Sequence, residues 1–384
     1  MTKIYLTHAQ VVLENEVLND ASVLIENGII TAINPQQVSD AEVINLHGQT
    51  LIPGMIDLHC DALEKEVEPR PNVYFPLDFA CAQADKRNAA AGVTTVFHSL
   101  SFANHELGVR NNDFAAEIAR AVHAWQPHAL VDNRVHCRYE VTDPTAPPVL
   151  LDLMQKGDMH LFSVMDHSPG QGQFKDIAAF RDYLSRTYKK TDAELDAILV
   201  EKSIQSEGAM QRIEVLVEAA RGHGIRVASH DDDTPEKVDA VHSLGVSISE
   251  FPINLAAAQA AKANGMFTVF GAPNILRGKS QSGSMKALDA VKENVADCLC
   301  ADYAPAALIV AIFSLPELAG ISLADAIRLV TINPARAAGL DDRGVIAVGK
   351  RADLVVVAHI NGLVQASSVW TNGRLAYQAR FDHG

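Results

Sequence analysis

Leu51-Ile52-Pro53-Gly54-Met55-Ile56-Asp57-Leu58-His59-Cys60-Asp61 is the stretch from which the rest of the chain can be placed. An apolar run stops at Pro53-Gly54. A short strand pattern follows and ends in His59 and Asp61. On a strand, residues i and i+2 point to the same side. An imidazole nitrogen and a carboxylate oxygen can therefore close on one metal ion. A bare His-x-Asp also describes an ordinary strand with two polar residues at its end, and a motif this short decides nothing alone. The other ligands must come from elsewhere in the chain.

Downstream of Pro53, strand-like and helix-like runs alternate to about residue 342. The candidate strands are Met55 to Leu58, Thr94 to His98, Arg134 to Val141, His160 to Met165, Arg226 to Ser229, Val246 to Ser249, Phe267 to Phe270 and Cys298 to Ala301. Helical patterns such as Asn112 to Trp125 and Glu207 to Arg221 lie between most of them, and Tyr183 to Ile204 reads as inserted helix. Strand-helix alternation repeated in this way predicts an α/β fold, a (β/α)8 TIM barrel with its site at the C-terminal ends of the strands. Residues 1–52 hold only short strands, with Asn27-Gly28 marking a hairpin. Residues 343–384 have the same texture, including Thr371-Asn372-Gly373-Arg374. Strands from one terminus alone would leave open edges. The two ends are therefore expected to form one small composite β-sandwich domain, 1–52 plus 343–384, beside a barrel of 53–342.

Composition narrows the function. The chain has 384 residues, is 48% hydrophobic and 21% charged, and carries a net charge of −15. That is a globular composition, and its charge argues against nucleic acid or an anionic membrane as partner. An anionic substrate would need a local basic cluster. The five cysteines form no CxxC pair, which fits reduced thiols in a cytoplasm. Cys298-Leu-Cys300 reads as two buried strand cysteines. No charged segment followed by an apolar one opens the chain, and a soluble cytoplasmic protein is expected. Composition leaves a homo-oligomer open.

Polar residues stand where several strands stop: Glu140, Asp166-His167, His230 followed by Asp231-Asp232-Asp233, and Asp302. With about 30 residues per β/α unit, His59 and Asp61 fall on the first strand and Glu140, His167, His230 and Asp302 on the fourth, fifth, sixth and eighth. Each residue alone fits an ordinary hydrogen-bonded role. Together they are a donor set for one or two divalent ions, Zn before Mn or Mg. Asp302 doubles as the catalytic residue that accepts a proton from water. The loop from Gly271 to Gly283 carries Arg277, Lys279, Ser280 and Ser282, which together with its backbone N–H groups can hold phosphate oxygens. Arg70 and Arg138 flank the strand-one and strand-four ligands and are further candidates for substrate binding. His98 and His136 read as structural. Asp231 and Asp232 can ligate an ion or orient His230. Asp233 is expected to cap the helix near Pro235.

These landmarks resemble the amidohydrolase superfamily of metal-dependent hydrolases. The resemblance rests on Pro53-Gly54-x-Ile56-Asp57-x-His59-x-Asp61, the later histidines, Asp302, Thr331-Ile332-Asn333-Pro334-Ala335 and Gly349-Lys350-Arg351-Ala352-Asp353-Leu354. Asp61 stands where the second His is usual. No Lys lies between Asn133 and Asp143, which leaves Glu140 as the bridging substitute. His59 to Glu64, Glu68-Pro69-Arg70-Pro71, Met165 to Gln171, Ser229 to Thr234 and Gly271-Ala272-Pro273-Asn274 with Arg277-Gly278 and Ser280 look like the PhnM family of the phosphonate pathway. That likeness implies a diphosphatase that hydrolyses α-D-ribose 1-methylphosphonate 5-triphosphate to the 5-phosphate and pyrophosphate. Glu66, Lys279 and Gln281 depart from the pattern and bear on the exact substrate. The alternatives are a cyclic amide or N-acyl C–N hydrolase and, in another class, a non-catalytic scaffold barrel.

Overall fold

A computed structural model describes residues 3–103, 111–166, 207–280 and 283–381. The N-terminal strands are β1 (Lys3–Val12), β2 (Val17–Glu26), β3 (Ile29–Ile33), β4 (Glu42–Asn45) and β5 (Thr50–Pro53). The parallel set follows: β6 (Met55–Cys60), β7 (Val93–Phe102), β8 (Asp132–Glu140), β9 (Leu161–Met165), β10 (Arg226–His230), β11 (Ile248–Glu250), β12 (Phe267–Gly271) and β13 (Cys298–Cys300). The chain closes with β14 (Leu354–Ile360), β15 (Leu363–Thr371) and β16 (Arg374–Gln378). The described helices are α1 (Ala62–Val67), α2 (Leu77–Ala91), α3 (Asn112–Trp125), α4 (Ala146–Lys156), α5 (Ala209–Gly222), α6 (Pro235–Ser243), α7 (Leu255–Ala263), α8 (Ala272–Arg277), α9 (Ala287–Lys292), α10 (Ala307–Ala319), α11 (Leu323–Arg328) and α12 (Ile332–Ala338).

The small β-domain does draw on both termini, its eight strands hydrogen-bonded into one sheet in the order β16-β15-β14-β5-β1-β2-β3, with β4 on β1. The ends join where β5 runs antiparallel to β14, Ile52 opposite Val355. Two Asn-Gly turns then pack backbone to backbone. Asn27 and Gly28 have φ of 52° and 85°, and Asn372 and Gly373 have φ of 52° and 70°. A Cβ on Gly28 would sit 2.7 Å from the Asn372 carbonyl oxygen, and one on Gly373 would sit 2.7 Å from the Gly28 Cα. Only glycine allows that approach. Leu6, Val11, Val23, Ile25, Leu51, Leu354, Val356 and Trp370 form this domain's core. The chain crosses to the barrel at Gly54, where a Cβ would collide with the Thr94 side chain.

Barrel strands β6 to β13 are neighbours in sequence order, and the barrel closes through two backbone bonds. Asp61 N–H donates to the Asp302 carbonyl at 2.7 Å, and Asp302 N–H donates to the His59 carbonyl at 2.9 Å. Strand alternation sorts the faces. Val135, Cys137 and Tyr139 of β8 pack outward against helices. His136 and Arg138 face inward beside Ser99 and Ser101, their direct partners on β7. All five cysteines are buried and free.

The predicted strand ranks shift. Glu140 ends the third barrel strand and His230 the fifth, not the fourth and sixth. The β/α units are unequal: the units before Glu140 carry long helices, and those after His230 are short. The fourth strand, β9, ends one residue before Asp166. His167, and the helical insertion expected at 183–204, lie outside the described residues.

Candidate active site

Polar side chains gather where β6, β8, β10, β11 and β13 stop. A register shift between Asp57 and Cys60 lets β6 re-aim its last residues, and His59 turns inward, 1% exposed. Asp57 holds it there by accepting from the backbone N–H of His59 at 3.2 Å and of Ala301 at 3.0 Å. Burial pushes the Asp57 carboxyl up to about 7, against the pull of those two bonds.

His59 stands between acids. Its Nδ1 lies 3.2 Å from Glu250 Oε1 and its Nε2 lies 3.5 Å from Asp61 Oδ1. Burial alone would lower the imidazole, but Glu250 and Asp61 raise it to about 10. Burial would raise Glu250, but His136 and His59 hold it down at about 2. The centre thus strongly favours a positive charge beside an ionised carboxylate. His230 sits with its ring centroid 5.6 Å from that of His59, and the Phe251 ring packs against both at 5.0 and 5.2 Å. One donor atom each from His59, His230 and Glu250 lie within 4.8 Å of one another. Glu250 Oε2 is buried and has no hydrogen-bond partner among the described residues. Two imidazoles and a carboxylate, one of whose oxygens is buried without a hydrogen-bond partner, fit a divalent cation such as zinc.

Beneath this group, His136 Nδ1–H donates to the Leu58 carbonyl at 3.0 Å, and its Nε2 lies 2.9 Å from Ser163 Oγ. Burial lowers its imidazole to about 4, against the pull of Glu250. It is a satisfied floor residue, as expected. His98, on the opposite face of β7 from Ser99, has Nε2 2.9 Å from Asn133 Oδ1, while its Nδ1 is buried with no hydrogen-bond partner among the described residues.

Above the group opens a cleft of about 830 Å3, counting the solvent at its mouth. His59, Asp61, Arg138, His230 and Asp302 line it from the strand side, and Arg277, Lys279, Ser280, Ser284 and Tyr303 from the loop side. Arg138 is buried. Its Nη2 donates to Ser101 Oγ at 2.7 Å, and its Nη1 lies 3.2 Å from His59 Nε2. Burial raises the Asp302 carboxyl above its ordinary value, against the nearby histidines and Arg138. Arg277 Nη1 donates to Tyr303 Oη at 3.2 Å. The loop is pinned where Ala287 N–H donates to Asn274 Oδ1 at 3.1 Å. The arrangement can hold a cation against an anion and place a carboxylate base beside both.

The model of the amidohydrolase family matches residues 50–376. This chain belongs to the amidohydrolase family. It is also 35% identical, over 377 residues, to α-D-ribose 1-methylphosphonate 5-triphosphate diphosphatase of Escherichia coli K12, covering 97% of this chain and 100% of that protein. Among solved structures, N-acetylglucosamine-6-phosphate deacetylase from Pasteurella multocida is similar at a TM-score of 0.66 with 15% identity, covering 97% of this chain and 99% of the other. The 5-methylcytosine deaminase from Klebsiella pneumoniae, liganded with phosphonocytosine, has a TM-score of 0.66 with 14% identity, covering 99% of each chain. At such identities the two structures speak to the fold alone.

This amidohydrolase does not gather every predicted site residue. Arg70 is exposed in a turn closed by Val73 N–H to its carbonyl at 3.0 Å and does not line the cleft. Glu140 is buried at the end of β8, where it accepts from Thr142 Oγ1 at 2.9 Å, outside the three-donor group. His167 and Ser282 lie outside the described residues. Asp233 is not the helix cap. Thr234 caps α6, its hydroxyl accepting from Lys237 N–H at 3.2 Å, because Thr234 is the residue directly before Pro235. Glu66, the unusual residue of α1, pairs with Arg87 at 3.2 Å. Sequence reasoning missed Glu250, Phe251 and Tyr303. Glu250 stands one residue past the Val246–Ser249 run, the position that singled out His230 after Ser229.

Proposed function

We propose that this amidohydrolase is a metal-dependent diphosphatase of phosphonate catabolism. It cleaves α-D-ribose 1-methylphosphonate 5-triphosphate, or a close analogue, to the 5-phosphate and pyrophosphate. The observation that carries this is one cleft with a cation-holding floor and a cationic wall, in a chain 35% identical to the Escherichia coli diphosphatase along 97% of its length. With a net charge of −15, an anion is drawn in only by such a local basic surface.

His59, His230 and Glu250, with Asp61 and Asp302 beside them, hold the ion, with zinc first and manganese or magnesium as alternatives. Glu140 and His167 are the remaining candidates for a second. When bound, the ion supplies Lewis acidity, making water easier to deprotonate and drawing charge from a phosphoryl oxygen. The side chains do the rest. Asp302, with its raised carboxyl, takes the proton from the attacking water. Arg138 offsets charge at the reacting phosphoryl group. Arg277, Lys279 and Ser280, joined by Ser282, hold the remaining anionic groups of the substrate. We assign catalysis to 53–342 and a supporting role to 1–52 plus 343–384. Five free buried thiols suit the cytoplasm, and no described helix is long and apolar enough to cross a membrane.

The cationic wall favours this function over C–N hydrolysis of a neutral cyclic amide, which would leave it idle. Arg277→Ala with Lys279→Ala is expected to raise KM for the triphosphate at least roughly tenfold, since charged hydrogen bonds contribute about 1.5–3 kcal/mol each. kcat should change far less. Steady-state kinetics at fixed ionic strength would show it. An unchanged KM would remove the loop from substrate binding.

A further inference from the structure

We infer that Asp232 is a positioning residue that holds the His230 and Glu250 strand ends in register. The inference rests on the assignment of those two residues to the cation site. Of the three acids that follow His230, Asp232 alone is fully buried, at 0% exposed. Its Oδ2 accepts from Ser229 Oγ at 2.5 Å and from Ser249 Oγ at 2.5 Å. Those serines directly precede His230 and Glu250 in the chain. They are cross-strand partners, Ser229 opposite Ser249, and the next pair is His230 opposite Glu250. Alternation sends the serines toward the helix layer and the two donors into the barrel. One carboxylate oxygen thus ties the outer faces of two strands one residue below their functional inner faces.

The tie has work to do because the ladder is short. β11 spans three residues and pairs with β10 at three positions. Both strands then turn sharply: Asp231 has φ 55° and Phe251 φ 53°. Backbone bonds hold the turns, Asp231 N–H to the Glu250 carbonyl and Ile253 N–H to the Asp232 carbonyl, each at 2.9 Å. None of these bonds reaches the serine faces. Lys237 Nζ lies 4.0 Å from Asp232 Oδ1 and also donates to the Asp231 carbonyl at 3.5 Å. Hydrogen bonds from hydroxyls to a carboxylate are short and strong. A shift of a few tenths of an ångström between His230 and Glu250 would spoil a shared cation site, where tolerances are about 0.2 Å.

The test is a titration of chelator-stripped full-length protein with Zn2+ alone, followed by calorimetry, with the thermal midpoint of the metal-free protein recorded beside it. Asp232→Ala is expected to weaken Zn2+ binding about 10- to 100-fold, as losses of groups that orient metal ligands do. Asp232→Asn, which keeps an oxygen acceptor, should restore most of the affinity. A triple variant, Ser229→Ala with Asp232→Val and Ser249→Ala, removes all partners together and should recover thermal stability without recovering affinity. If Asp232→Ala does not fold, Ser249→Ala alone is expected to weaken binding in the same direction by a smaller factor. Wild-type Zn2+ affinity in Asp232→Ala with a lowered midpoint would overturn the inference and leave Asp232 a structural residue. No substrate enters this titration, so a failed diphosphatase assay leaves it intact. Wild-type protein that takes up no Zn2+ would overturn the site assignment and this inference with it.

Discussion

Asp302→Asn is expected to keep its ion and lose turnover by about 10²–10⁴-fold, the range for a positioned general base. The variant is chosen on structural grounds. Asp302 has φ 54°, a left-handed conformation that Asn shares with Asp and that Ala would strain. Its backbone N–H and carbonyl close the barrel against β6, and Asn leaves both in place. The three-donor group of His59, His230 and Glu250 is untouched, so metal content by mass spectrometry should match the wild type. What Asn lacks is a carboxylate, raised by burial, to take a proton. Wild-type-like turnover would remove Asp302 from the proton transfer.

Arg343→Met should produce the largest loss of stability. Arg343 follows α12 and plugs the N-terminal end of the barrel. It is buried, and its Nη1 donates to Asp132 Oδ2 at 2.6 Å and to Thr95 Oγ1 at 3.0 Å, with Nε donating to Asp342 at 2.8 Å. Removing one partner of a buried pair costs about 3–5 kcal/mol. Arg134 remains 3.1 Å from Asp132 and Asp132 is partly exposed, which places the expected cost near the lower end, about 3 kcal/mol. The pH dependence follows. Burial would raise the Asp132 carboxyl, but Arg134 and Arg343 together hold it below its ordinary value. A depressed folded-state value stabilises fully above the unfolded carboxylate's value, and that stability is lost as pH falls through the folded one. The gap in urea midpoint between wild type and Arg343→Met should therefore be widest near neutrality and narrow below about pH 4. A gap that stays constant into acid would mean that Arg343 acts through packing rather than charge.

Much of this was legible in the residues. All eight barrel strands follow from apolar runs bounded by turn residues, and the Asn27-Gly28 and Asn372-Gly373 turns marked the two ends of one sheet. His59, Asp61, Arg138, His230, Arg277, Lys279, Ser280 and Asp302 line a single cleft, because each stands where a strand or its loop reaches the same barrel mouth. Strand rank was less legible, since the β/α units differ in length and spacing alone cannot count them. Glu250 was missed because its strand is three residues long and offers little periodicity. The acids after His230 showed no order in sequence. Only the fold separates Asp231, which lines the cleft, from Asp232, which bonds two serines on the outer face.

The most direct measurement is pyrophosphate release by the zinc-loaded, full-length protein from α-D-ribose 1-methylphosphonate 5-triphosphate, followed by phosphorus NMR beside a parallel assay of cyclic-amide ring opening. A metal-dependent diphosphatase should yield one pyrophosphate for each 5-phosphate formed, stop on chelation, recover on re-addition of the ion, and leave the amide intact. Ring opening of the amide with no pyrophosphate from the triphosphate would contradict it.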